Sequence, residues 1–186
     1  MSERTDDQLM LDYAGGNLAA FEQLYHRHRG ALYRFILRQV NDPATANDLY
    51  QGCWEKIIKA RRSYRKGVPF KAWMFRIGRN HVIDHFRRMK PEADEDQQER
   101  AGTDPGPEEN LRAQQASQTL AEAIAQLPEE QRETLLLKLE SELDLATIAS
   151  ITGVKPETAK SRLRYATQHL RQLLNPEPEA DMHHHG

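Results

Sequence analysis

Cysteine is almost missing from this chain. Cys53 stands alone among 186 residues, so no disulfide can close within the chain and a cysteine-based zinc site is excluded. The expected compartment is a reducing one, the cytoplasm. Long apolar runs are missing too. None approaches the ~20 residues that a bilayer-spanning helix needs, and no apolar core follows Met1 as a secretory leader requires. Direct membrane insertion is therefore not expected. Period-two alternation is also lacking, so no strand is placed and the expected class is all-α. No internal repeat is visible. What remains, with 38% hydrophobic and 29% charged residues, is the composition of a soluble, helix-rich protein.

The formal net charge of -2 conceals a strong asymmetry. Residues 1–91 carry 17 Lys and Arg against 9 Asp and Glu, whereas 92–109 carry one base and eight acids. Residues 110–186 carry eight bases and eleven acids. The most basic window is 59–90, with eleven bases and one acid. A patch of that density is the electrostatic footprint of a polyanionic partner.

The stretch "KPEADEDQQERAGTDPGPEEN" is polar, acidic and rich in Pro and Gly, with no apolar period. It reads as a flexible linker over 92–109 that separates two small helical domains, 1–91 and 110–175. A disordered tail is expected over 176–186. Its run His183 to His185 can hold metal adventitiously and receives no role.

In the first domain Thr5 is a capping candidate and Gly15-Gly16 a stop. Phe21, Leu24, Tyr25, Leu32, Phe35 and Ile36 follow near helical spacing, and Asp42-Pro43 opens a third helix. Gly67 and Pro69 interrupt before a fourth helix, "FKAWMFRIGRNHVIDHFRR". On a helical wheel its Met74, Phe75, Gly78, Val82 and Phe86 share one side, the expected core. Trp73, Arg76, Asn80 and Arg87 form a stripe on the other. That combination suits an unpaired nucleic-acid strand: arginines hold phosphates, an aromatic stacks, an amide reads a base edge.

The second domain should begin near Pro107, with Leu111, Leu120 and Ile124 inward. Pro128 starts a further helix with Glu129 and Glu130 at its positive end. The segment "LDLATIASITGVKPETAKSRLRYATQHLRQLL" then has helix-turn-helix form. Asp144 caps a short helix that buries Leu145, Ile148 and Ala149, Gly153 turns, and Pro156 opens the second helix. Ala159, Leu163, Ala166, Leu170 and Leu173 recur at spacings that make one apolar stripe, so Lys160, Ser161, Arg164 and Gln168 point outward. Such side chains suit base edges and phosphates in a major groove.

These motifs, in this order, resemble a bacterial RNA polymerase sigma factor of the extracytoplasmic-function group, which keeps sigma domains 2 and 4. "NDLYQGCWEKIIKA" and "SYRKGVPFKAWMFRIGRNHVIDHFRR" are similar to domain 2. "LPEEQRETLLLKLESELDLATIASITGVKPETAKSRLRYATQHLRQLL" is similar to domain 4. The resemblance implies that Asp48, Leu49 and Gln51, with Trp54 alongside, dock on the coiled coil of the polymerase β′ subunit. It implies that the loop Ser63–Val68, with Tyr64, Arg65 and Lys66, forms a pocket for a base flipped from the −10 strand. Trp73, Arg76, Asn80 and Arg87 would hold that strand, and Thr158, Lys160, Ser161 and Arg164 would enter the −35 major groove. The implied partners are core RNA polymerase, through β′ and β, promoter DNA and an anti-sigma factor. The sequence departs from the family pattern at Gly52, where a Glu is usual, at Cys53-Trp54, at Tyr165, and in "LDLATIAS", which lacks the usual acidic pair.

The sequence raises two rival classes. His81 and His85 have the i, i+4 spacing of a metal-binding helix, with Asp84 between them. Four arginines crowd that helix and no third ligand is evident, so no metal, no cofactor and no enzymatic activity are expected. The other rival is a two-domain helix-turn-helix repressor or activator that works without core polymerase. It lacks any visible ligand or dimerisation motif here.

Overall fold

The computed structural model describes residues 2–90 and 111–176, with side chains from 119 onward in the second stretch. The expected linker lies outside the described residues, as does nearly all of the expected tail. Among the described residues every regular element is helical. No helix among them is long and apolar enough to cross a membrane.

The first half holds α1 (Asp6–Ala14), α2 (Leu18–Val40), α3 (Pro43–Ala60) and α4 (Phe70–Met89), with a single 3₁₀ turn at Arg61–Ser63. Local chemistry fixes most of the starts. Thr5 forms a capping box with Gln8, Asn17 accepts from the Ala20 N–H, and Asp42 accepts from the Thr45 N–H with Pro43 at the first turn. Gly16, at φ +109°, and Asn41, at φ 52°, take the left-handed conformations that release α1 and α2.

Packing then gathers α1, α3 and α4 around α2. Phe35 meets Phe75 edge-on at 5.5 Å between ring centroids. Gly78 lets α4 approach α2 closely: a Cβ there would lie 3.1 Å from Leu32 Cδ1. The expected core face of α4 is the observed one. Met74, Phe75, Gly78 and Val82 are buried and Phe86 is half-buried.

The second half holds α5 (Leu111–Gln126), α6 (Glu129–Ser141), α7 (Leu145–Thr152) and α8 (Pro156–Leu174). α6 begins after Pro128, as expected, while Leu120, expected inward, is 42% exposed. The reason lies one turn on: Ala123, Ile124 and Leu127 are the residues of α5 that meet the core.

α6 is the centre of the molecule. Arg132, Glu133, Thr134, Leu135, Leu136 and Leu137 are all buried. Six consecutive residues at 100° per residue go right round a helix, so α6 must be covered on every side. α7 and α8 cover one side, and α2 and α4 of the first half cover the other. One apolar cluster therefore runs through both halves, from Leu9 and Phe35 to Leu137 and Ala166.

Candidate polymerase and nucleic-acid interfaces

Three surfaces carry the residues singled out by sequence. The first is on α3. Asp48 and Gln51 are exposed, as a docking role requires. Leu49 and Trp54 are not: they are 7% and 6% exposed. The Trp54 indole packs edge-on against Tyr25 at 5.0 Å and Phe21 at 5.9 Å. Helical geometry explains the split. Leu49, Cys53, Trp54 and Ile57 make the buried stripe, whereas Asp48, Gln51 and Glu55 lie along the opposite, solvent face. Glu55, not singled out from the sequence, shares this exposed face through its spacing of four from Gln51.

The same helix explains the unusual glycine. A Cβ at Gly52 would lie 2.5 Å from His81 Nε2, so the α4 imidazole occupies the place of a side chain. Burial, then Lys56 and Arg88, push the His81 pKa down. The imidazole is therefore held toward its neutral form in the α3–α4 seam. Among the described residues no group of three or more His, Cys, Asp or Glu could hold a metal ion.

The second surface is the loop before α4 and the outer face of α4. This helix begins after Pro69 with no cap of its own. Its first N–H is satisfied from far away: Phe70 N donates to Asp7 Oδ1 of α1 at 2.9 Å. The same carboxylate oxygen accepts from the Tyr64 hydroxyl at 3.1 Å, and that hydroxyl also faces the Val68 carbonyl. Both neighbours only accept, so one phenolic proton is shared between them. Burial, then Asp7, hold the phenol far above its ordinary pKa, which keeps the proton in place.

Tyr64 is thus placed differently from a free stacking platform. It is 6% exposed, its ring edge-on to Trp73 at 5.4 Å. Its lost exposure is the cost of tying the loop to α1, and Asp7 had no signal in the local sequence. Arg65 and Lys66 remain exposed at the tip beside Gly67, whose φ is +94°. Beyond them Trp73 is half-buried, and Arg76, Asn80 and Arg87 are exposed in one row. Arg79, between them, is half-buried against Glu133 of α6.

The third surface is α8. Asp144 accepts from the Thr147 N–H at 2.7 Å to start α7. Gly153 at φ +72° ends it, and Pro156 starts α8. Ala159 and Ala166 are fully buried, while Leu163 and Leu170 are half-buried against the core. Lys160, Arg164 and Gln168 are exposed, and Thr158 and Ser161 are half-buried at the edge of that face. Tyr165, 50% exposed, carries the Arg164 guanidinium 5.2 Å from its ring centroid. This cation–π contact holds the arginine over the surface.

A short capped helix, a glycine turn and a second helix with an outward basic face define a helix-turn-helix DNA-recognition unit. Comparison with known proteins places it. Residues 24–91 match the family described as Sigma-70 region 2, and residues 117–170 match Sigma-70, region 4. The ECF RNA polymerase sigma factor SigL of Mycobacterium tuberculosis is 30% identical over 166 residues, covering 87% of this chain and 92% of that protein. The RNA polymerase sigma factor CarQ of Myxococcus xanthus is 26% identical over 162 residues, covering 87% and 93%. Among solved structures, the sigma factor RpoE of Bartonella quintana, in complex with the anti-sigma factor NepR, superposes with a TM-score of 0.71 at 27% identity. It covers 85% of this chain and 98% of that one. The chain belongs to the extracytoplasmic-function group of the sigma-70 family. It binds core RNA polymerase and directs it to promoters. A polymerase-independent repressor or activator is not favoured. Sigma factors are generally non-enzymatic DNA-recognition proteins.

Proposed function

We propose that residues 1–91 engage core polymerase and the −10 element, that residues 110–175 engage the −35 element, and that 92–109 bridge the two, with 176–186 as a tail. Asp48, Gln51 and Glu55 meet the β′ coiled coil, while Leu49 and Trp54 hold that face in shape from inside. Further contact with β completes the holoenzyme. The unpaired −10 strand lies along Trp73, Arg76, Asn80 and Arg87, with Arg65 and Lys66 at the loop. Tyr64 acts as a brace that sets the loop's shape, tied through Asp7. Thr158, Lys160, Ser161 and Arg164 enter the −35 major groove. The protein works in the cytoplasm, without metal or cofactor. An anti-sigma factor restrains it, as NepR binds the Bartonella relative.

The observation that carries this reading is the two-faced α4. One side is sealed by Met74, Phe75, Gly78 and Val82, and the other offers an exposed Arg76–Asn80–Arg87 row. The test is transcription in vitro across a randomised −10 element, with permanganate probing of unpaired thymines. Arg76→Ala and Arg87→Ala should weaken opening at every −10 sequence and flatten its salt dependence. Asn80→Ala should change which sequences are preferred. An unchanged preference with Asn80→Ala, or normal melting with the arginine variants, would refute the assignment.

A further inference from the structure

We propose that Tyr165 is a further specificity-determining residue of α8, whose ring receives the C5 methyl group of a thymine next to the guanine addressed by Arg164. The proposal rests on the reading of α8 as the −35 helix, and it concerns a position where the chain departs from the family pattern.

Among the described residues Tyr165 is the one Phe, Tyr or Trp that is exposed, and every other such ring is buried or half-buried. It stands at 50% exposure in the middle of α8, so its openness does not come from a frayed helix end. The Arg164 guanidinium lies 5.2 Å from the ring centroid. No second ring among the described residues packs against it.

The helical wheel of α8 sets where that ring points. Ala159, Leu163, Ala166 and Leu170 turn to the core. The face opposite them is centred on Ser161, Arg164 and Gln168, with Lys160 on one flank and Tyr165 on the other. Tyr165 follows Thr158 by seven residues and Ser161 by four, so the three stand in one row. All three belong to the N-terminal half of α8, the part of a recognition helix that meets base edges. Arg164 and Tyr165 differ by ~1.5 Å along the axis and ~100° around it. That offset is less than one base-pair step of ~3.4 Å, so the two side chains address adjoining positions.

Chemistry then selects the base. The major groove offers hydrogen-bond donors and acceptors on all four bases but a single kind of apolar group, the thymine methyl. Arg164 has only donors, which fit guanine O6 and N7. The carbons of the Tyr165 ring offer no hydrogen bond, and they lose water when they meet a methyl group. The cation–π contact holds guanidinium and ring as one unit, so a guanine and its neighbouring thymine are read together. A phosphate would engage the Tyr165 hydroxyl instead, a difference that one variant separates.

The test uses the full chain bound to core polymerase, with transcription in vitro from promoters randomised over the −35 element. The parent should select a thymine beside the guanine whose preference Arg164→Ala relaxes. Replacing that thymine by deoxyuridine removes the methyl alone and should lower parental promoter use about three- to fivefold. Tyr165→Ala should use both templates equally, at the parent's deoxyuridine level, and Tyr165→Phe should keep the parental discrimination. The position is exposed, so both variants should keep parental helicity and co-purify with core polymerase. A merely structural role would not respond to one methyl group on the DNA. A parent indifferent to deoxyuridine at every thymine of its selected element overturns the proposal, as does undiminished discrimination in Tyr165→Ala. Lost discrimination in Tyr165→Phe assigns the contact to the hydroxyl and overturns the methyl contact. If Arg164→Ala and Lys160→Ala leave the −35 preference unaltered, the −35 reading of α8 fails and this proposal with it. If they shift that preference while Tyr165→Ala does not, only the Tyr165 assignment fails.

Discussion

α3 and α8 both carry motif residues expected to contact a partner, and they treat those residues differently. On α8 the marked side chains are exposed or sit at the edge of the exposed face, because its small residues, Ala159 and Ala166, draw the core line elsewhere. On α3 the motif alternates. Asp48 and Gln51 face water, whereas Leu49 and Trp54 are core. On the proposed reading, the motif on α3 mixes a contact surface, Asp48 and Gln51, with the scaffold that shapes it, Leu49 and Trp54. Substitution should separate the two.

The largest effect is expected at Leu49. Leu49→Asp places a carboxylate in a buried site and should destabilise the first half by about 3–5 kcal/mol. Asp48→Arg, at an exposed position, should leave the unfolding temperature within a degree or two of the parent's yet abolish co-purification with core polymerase. Equal thermal stability of both variants would erase the distinction between scaffold and contact on α3.

Next in size is Gly52→Ala. The added Cβ collides with the His81 ring, so a loss of roughly 1–3 kcal/mol is expected in a denaturant titration. Combining it with His81→Ala should recover much of that loss, a coupling that a double-mutant cycle would measure.

On α8, Arg164→Ala and Lys160→Ala should leave the fold intact. Each should reduce promoter use by about tenfold through a lost base contact. Their effect should vanish on promoters that lack a −35 element. If −35 base changes rank identically in variant and parent, these residues touch phosphate only.

The smallest effect concerns α1. Asp6 accepts from His28 Nε2 at 2.8 Å and from Arg27 at 3.0 Å. The His28 bond, more than Arg27, holds its carboxyl below the ordinary 3.8 despite partial burial. The lowered folded value means this contribution is present above pH ~4 and lost as pH falls further. The side chain shares its site with water, so Asp6→Asn should change stability by no more than about 1 kcal/mol at pH 7. The difference between variant and parent should shrink below pH 4 in urea titrations.

Helix identity was largely legible because it depends on local signals: caps at Thr5, Asp42 and Asp144, stops at Gly16 and Gly153, and proline at the openings of α3 and α8. The two faces of α4 followed from spacing alone. What local pattern could not give was the partner of each face. Nothing in the local sequence around Glu133 or Arg79 marks them as partners, yet they pair across the two halves. The "TLLLKL" run of α6 gives apolar residues on several sides, which signals a central helix but not what covers it. Tyr64 and Asp7 lie far apart in the chain, so the brace between them leaves no trace in either neighbourhood.

The seam between Gly52 and His81 has an evolutionary consequence. Relatives with a glutamate at the first position have no room for an imidazole at the second unless the helices shift apart. The two sites should therefore be inherited as a single character. In lineages where the glycine is replaced, position 81 should hold a smaller residue, and intermediates carrying both bulky groups should be rare.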